Sequence, residues 1–145
     1  MAIDVSAEVV ISRRRDEVAA FVMNPANDAT WIAAVRHARV VDGRPLAKGA
    51  RVERTSRFLG RRVEQVMEVT GYAPPTRLAL DSVRGPIPMR VSYQLDELGD
   101  DTRARVQLQG KPGAVFRLAR PMLVRLMKHT VSRDLRALKR HLEEA

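Results

Sequence analysis

The stretch RVERTSRFLGRRVEQVMEVTGYAPPTRLAL, residues 51–80, carries the strongest fold signal in the chain. It reads as two alternating strands folded at Gly60, then a Pro74-Pro75 corner and a third strand around Leu78–Leu80. With Gly60-Arg61 as a two-residue turn, Gly at the first central position gives a type II′ hairpin. Phe58 then faces Val63, Ser56 faces Gln65, Arg54 faces Met67 and Val52 faces Val69. On the other face Arg57 meets Glu64, an opposite-charge pair that favours this register. A turn at Leu59-Gly60 sets Arg57 against Arg62 instead. The inward face is mostly apolar but carries Arg54, Ser56 and Gln65. That mixture suits a ligand cavity better than a solid core.

The surroundings of this hairpin fit a globular domain. A length of 145 residues predicts one domain spanning 1–145, large enough for a real core. Hydrophobic residues make up 45% and charged residues 30%, the balance of an ordinary folded chain. The lack of cysteine excludes disulfides, thiol nucleophiles and cysteine-ligated zinc, and fits a reducing cytoplasm. MAIDVSAEVVI alternates and has no continuous apolar core, so it is not read as a signal peptide. No apolar run approaches the roughly 18 residues of a membrane span.

The formal charge of +9 invites a nucleic-acid reading, which the pattern argues against. Of 26 basic residues only four are lysine, and the arginines are spread along the whole chain. Aromatics are 4%, too few to interleave with basic residues as a single-strand binder requires. A solvated basic surface is the plainer reading, and an anionic membrane or protein surface is the partner it would suit.

Outward from the hairpin, Ile3, Val5, Ala7, Val9 and Ile11 alternate in a first strand. Ser12 is placed to cap a short helix over Asp16–Val22, and Asn27 or Asp28 to cap a second one carrying Trp31 and Ile32. Val40-Val41 belongs to a second strand. Met89, Val91, Tyr93 and Leu95 alternate, turn at Gly99-Asp100-Asp101, and continue into Thr102, Ala104, Val106 and Leu108. Ala114–Glu143 reads as helix, roughly 45 Å long at 1.5 Å per residue, with Pro121 expected to kink or divide it. Its second half carries one apolar stripe, Val131, Leu135, Leu138 and Leu142. The order β-α-α-β-β-β-β-β-β-α gives an α+β chain with a curved antiparallel sheet. The long C-terminal helix is the one element able to cover that sheet.

This order resembles the helix-grip superfamily, which contains START domains, the birch-pollen allergen Bet v 1 and the bacterial polyketide cyclase/dehydrase group (SRPBCC). Ser12–Phe21 resembles the start of that group's first helix, and Trp31 falls at the usual place in its second. Gly43–Gly49 resembles the short turn before its third strand. FLGRRVEQVMEVTGYAPPTRLAL (58–80), Met89–Val106 and RLARPMLVRLMKHTVSRDLRALKRHLEE (117–144) resemble its two hairpins and its closing helix. The resemblance spans essentially the whole chain. It implies a helix-grip fold, a curved antiparallel sheet wrapped around a long C-terminal helix with two short helices after the first strand. An elongated apolar cavity then lies between sheet and helix. It does not imply one activity, because the group includes lipid carriers, hormone receptors, polyketide cyclases and cochaperones.

The residues themselves contain no HExxH, GxSxG, GxGxxG or P-loop pattern, and His37, His129 and His141 lie too far apart for a metal-ligand spacing. No cofactor and no metal are called for. A cyclase needs a general acid or base in its cavity, and the inward positions offer only Arg54 and Tyr93 as weak catalytic candidates. Arg54 either binds a ligand anion or pairs with a protein acid. Ser56 and Gln65 are candidate hydrogen-bonding groups. Trp31, Phe58, Met67, Met89, Met122 and Leu126 are the apolar lining candidates. The expected activity is binding or carriage of a lipid- or polyketide-like molecule, with a cyclase/dehydrase enzyme as the first alternative. A basic-surface interaction module is the second.

Overall fold

The computed structural model describes residues 3–58, 60–85, 88–111 and 120–144. The elements run β1 (Ile3–Ile11), α1 (Arg15–Val22), α2 (Asp28–Trp31), β2 (Val35–Val40), β3 (Arg51–Phe58), β4 (Arg61–Ala73), β5 (Arg77–Arg84), β6 (Met89–Leu98), β7 (Asp101–Gly110) and α3 (Arg120–Glu144). The strands form one curled antiparallel sheet in the order β1-β7-β6-β5-β4-β3-β2. It is the helix-grip arrangement that the resemblance implies.

Alternation sets which face is buried. Val52, Met67, Val69, Val91, Tyr93, Leu95, Ala104 and Val106 point into one core with Ile11, Val18, Val22 and Trp31. The stripe Val131, Leu135, Leu138 and Leu142 closes that core from α3. Truncating Leu135, which is fully buried, would cost roughly 2–5 kcal/mol.

Two local expectations need correction. The β3–β4 ladder pairs Arg54 with Gln65, Val52 with Met67 and Arg57 with Arg62, so the turn falls between Phe58 and Arg61. Gly60 supplies the positive φ of 78° at the second turn position. The Arg57–Arg62 pair lies in water, and Arg62 reaches Glu64 on its own strand at 3.1 Å. Charge pairs on an exposed sheet face are worth only about 0.2–1 kcal/mol, too little to dictate register. The slip is by two residues, so every inward position stays inward.

Neither short helix is capped by a side chain as expected. Arg14 precedes α1 without a capping bond, and Ser12 instead donates its N–H to Glu143 Oε2 at 2.8 Å. The Asp28 carboxylate is turned inward rather than toward its own helix. The described part of α3 runs unbroken from Arg120 to Glu144, and the kink or break expected at Pro121 falls at its boundary with residues 112–119. The predicted helix over 114–119 lies outside the described residues.

The Pro74-Pro75 corner is present, with a cis peptide. Helix α3 is tied along the outer edge of the sheet. Lys128 Nζ donates to Ser6 O and Lys139 Nζ to Val10 O, the latter at 2.7 Å. Lys139 also meets Glu143 at 2.6 Å.

Candidate functional site

Between the concave face of the sheet and the Leu123–Asp134 portion of α3 lies a cavity of about 470 Å³. The loop after α2, the inner residues of β3, β4, β6 and β7, and one face of α3 enclose it. Most of its surface is apolar, contributed by Val35, Val63, Met89, Val91, Val106 and Leu108 on the sheet and by Leu123, Leu126, Met127 and Val131 on the helix.

Alternation on β3 carries Arg54 and Ser56 into this space, and alternation on β6 carries Tyr93. Arg54 is 9% exposed, and its Nη2 donates to Asp28 Oδ2 at 2.7 Å and to the Tyr93 hydroxyl at 3.4 Å. Its Nε has no hydrogen-bond partner among the described residues, nor has the buried indole Nε1 of Trp31. The Trp31 ring meets Tyr93 edge-on, with centroids 6.1 Å apart.

Burial works against the Arg54 charge, but Tyr93 and Asp28 together outweigh it and hold the guanidinium above its ordinary range. Burial likewise pushes the Asp28 carboxyl up, against the pull of Arg54. Burial also raises the Tyr93 phenol, so it stays protonated at neutral pH. Asp134 on α3 accepts the Ala33 N–H at 3.2 Å. Its carboxyl is raised by burial, with Ala33 and Arg133 opposing.

Of the predicted site residues, Trp31, Arg54, Ser56, Gln65, Met89, Tyr93 and Leu126 line the cavity. Met67 does not: it is fully buried beneath the sheet face, packed into the core. Met122 does not either, being 74% exposed in the first described turn of α3. The side chain of Phe58 lies outside the described residues. Sequence reasoning missed Asp28, which it took for a helix cap. A usable signal existed, since a buried arginine requires an acid nearby. It also missed Val35, Met127, Thr130 and Asp134, which pattern alone does not distinguish from ordinary core and surface.

The sequence profile described as "Polyketide cyclase / dehydrase and lipid transport" matches residues 2–143. The chain belongs to this family. No curated protein is significantly similar to it in sequence. Solved structures share the fold of this polyketide cyclase / dehydrase and lipid transport family member at low identity. A START superfamily protein of Mycobacterium smegmatis is 18% identical with a TM-score of 0.80, covering 98% of both chains. The Zhui aromatase/cyclase of a Streptomyces species is 14% identical with a TM-score of 0.81, covering 99% of this chain and 95% of its own. A major latex-like protein of Panax ginseng is 13% identical with a TM-score of 0.67, covering 95% and 97%. These likenesses are of fold. Family and fold fit ligand-binding or polyketide-cyclase-like proteins. Among the described residues no helix is long and apolar enough to cross a membrane.

Proposed function

We propose that this family member binds and carries a small hydrophobic or amphipathic molecule, lipid- or polyketide-like, between the sheet and α3. One observation carries the reading: an apolar cavity of about 470 Å³ whose deep arginine is already matched by Asp28. The volume falls within the roughly 300–1,000 Å³ of small-molecule sites. The pairing consumes the charge that a proton-transfer step would draw on, while Ser56, Gln65 and the unspent Trp31 and Arg54 donors remain for orienting a ligand. Native mass spectrometry of the purified chain is expected to show a co-purified small molecule. Filling the cavity with Leu108→Trp should abolish uptake of an apolar probe while the fold persists. Uptake unchanged by that substitution would overturn the reading.

A cyclase- or dehydrase-type activity is the second reading, favoured by the Tyr93 hydroxyl. It is buried, protonated and held beside a guanidinium, which suits hydrogen-bond donation to a ligand carbonyl as negative charge develops there. Under this reading Tyr93→Phe stops turnover of a polyketide substrate yet leaves its binding intact. Unchanged turnover would exclude Tyr93 as the donor.

A further inference from the structure

The exposed members of the lining mark where the cavity opens. They are Ala33 before β2, Arg36 on β2, Arg57 near the end of β3, which meets the rim through its backbone while its side chain stands opposite Arg62, and Leu126 and Arg133 on α3. Three of these are arginines from three separate segments. Short ties bring the segments together: the Arg57 N–H donates to Ala34 O at 2.7 Å, and the Ala33 N–H donates to Asp134, the residue after Arg133.

Arg36 owes its place to a break in the β2–β3 ladder. Val35 opposes Ser56 and His37 opposes Thr55, so Arg36 is the extra residue of a bulge. A regular strand with Val35 inward would send the next residue to the far face, and the bulge interrupts that alternation. On α3, Leu126, Thr130 and Arg133 follow one another at i, i+4 and i+7, which lays one arginine on the same helix face as the cavity lining.

None of Arg36, Arg57 and Arg133 forms an ion pair with a described residue. Asp134, the one acid of the described lining, is buried and already accepts the Ala33 N–H. Deeper in, Arg54 is matched by Asp28. Positive charge therefore exceeds negative at the opening, where Asp134 offsets Arg133 only in part, and not in the interior, which is apolar.

We propose that the bound molecule is an anionic amphiphile. Its carboxylate or phosphate head stays at the mouth between Arg36 and Arg133 while its apolar body fills the cavity. The inference rests on the reading of this cavity as the ligand site, and it moves the anion-binding role from Arg54 to the rim.

Trp31 is the one tryptophan of the chain, and it is buried in the cavity wall, so its emission reports occupancy. The test titrates the protein with dodecanoate, dodecyl phosphate and dodecanol, followed by Trp31 emission and by calorimetry. At low salt the anions should bind roughly tenfold more tightly than the alcohol, and the tighter of the two identifies the head group. That advantage should shrink in high salt. The double variant R36Q/R133Q should lose roughly tenfold in anion affinity and nothing toward dodecanol. Both positions are exposed, so the fold should survive, and the salt series on the unaltered chain tests the same point without any variant. Equal affinity for all three compounds, or an anion preference that survives both the substitutions and the salt, would overturn the head-group assignment and leave the carrier reading standing. No response to any of the three would sink both.

Discussion

Two arginine–aspartate pairs sit on opposite faces of the sheet, and they are built in opposite ways. On the convex face Arg90 and Asp81 stand directly across β5 and β6, joined by two bonds, Nε to Oδ1 at 2.6 Å and Nη2 to Oδ2 at 3.0 Å. On the concave face Arg54 reaches Asp28 through Nη2, and its Nε has no partner among the described residues. Side-chain exposure is 54% and 34% for the first pair but 10% and 5% for the second. The better geometry belongs to the pair with less effect on stability, because water compensates either of its partners when the other is lost. The buried pair has no such reserve. A bidentate pair exposed to water marks a clasp. Donors left unspent beside a cavity mark a site.

The contrast can be broken most directly by removing one carboxylate at a time. Asp28→Ala strands a buried guanidinium and should lower unfolding free energy in urea by about 3–5 kcal/mol. Asp81→Ala should leave the urea midpoint almost unchanged. Equal losses would refute the distinction. The double replacement Asp28→Leu with Arg54→Met should recover most of the stability lost in Asp28→Ala, since a buried pair exchanged for apolar groups of similar volume is often neutral. It should also alter ligand uptake, which a purely structural pair would not.

A subtler separation lies in titration. Asp81 is held below its ordinary value of 3.8 by the hydrogen bonds from Arg90. Its stabilisation is therefore present above that value and is lost as pH falls through the lower folded one. Asp28 is shifted up by burial, so the sign reverses: the folded chain takes the proton first, and its contribution is lost as pH rises from 3.8 through the higher folded value. Carbon-13 NMR of the side-chain carboxyls should resolve the two midpoints on opposite sides of 3.8. The smallest effect is expected from Arg90→Ala, which should not move the melting temperature measurably but should return the Asp81 titration to its ordinary range.

The strands and the α3 stripe were legible because burial is enforced residue by residue, and a core that excludes water leaves a period of two or of 3.6 in the chain. The site was legible only where it inherits that period, as with Arg54, Ser56, Gln65 and Tyr93. Asp28 was not, because its role depends on a partner 26 residues away in sequence. From sequence alone, an aspartate at the start of a helix looks like a cap. The hairpin register was misread for a related reason. It leaned on a charge pair that water screens, and both registers bury the same side chains. Met122 was misjudged because its stretch of the sequence is apolar around most of the helix girth, which carries no sign of which way that turn faces.

The lysines on α3 have a consequence for the company this protein keeps. A sheet that does not close on itself offers two rims of unspent peptide groups to any passing strand. One rim, β1, has the carbonyls of Ser6 and Val10 already occupied by Lys128 and Lys139. The other, β2, is short and carries Arg36, His37 and Arg39, with the ladder broken at Arg36. Neither rim is a good template for edge-to-edge association, and the bulge that brings Arg36 to the cavity mouth also helps discourage β2 from pairing with another chain.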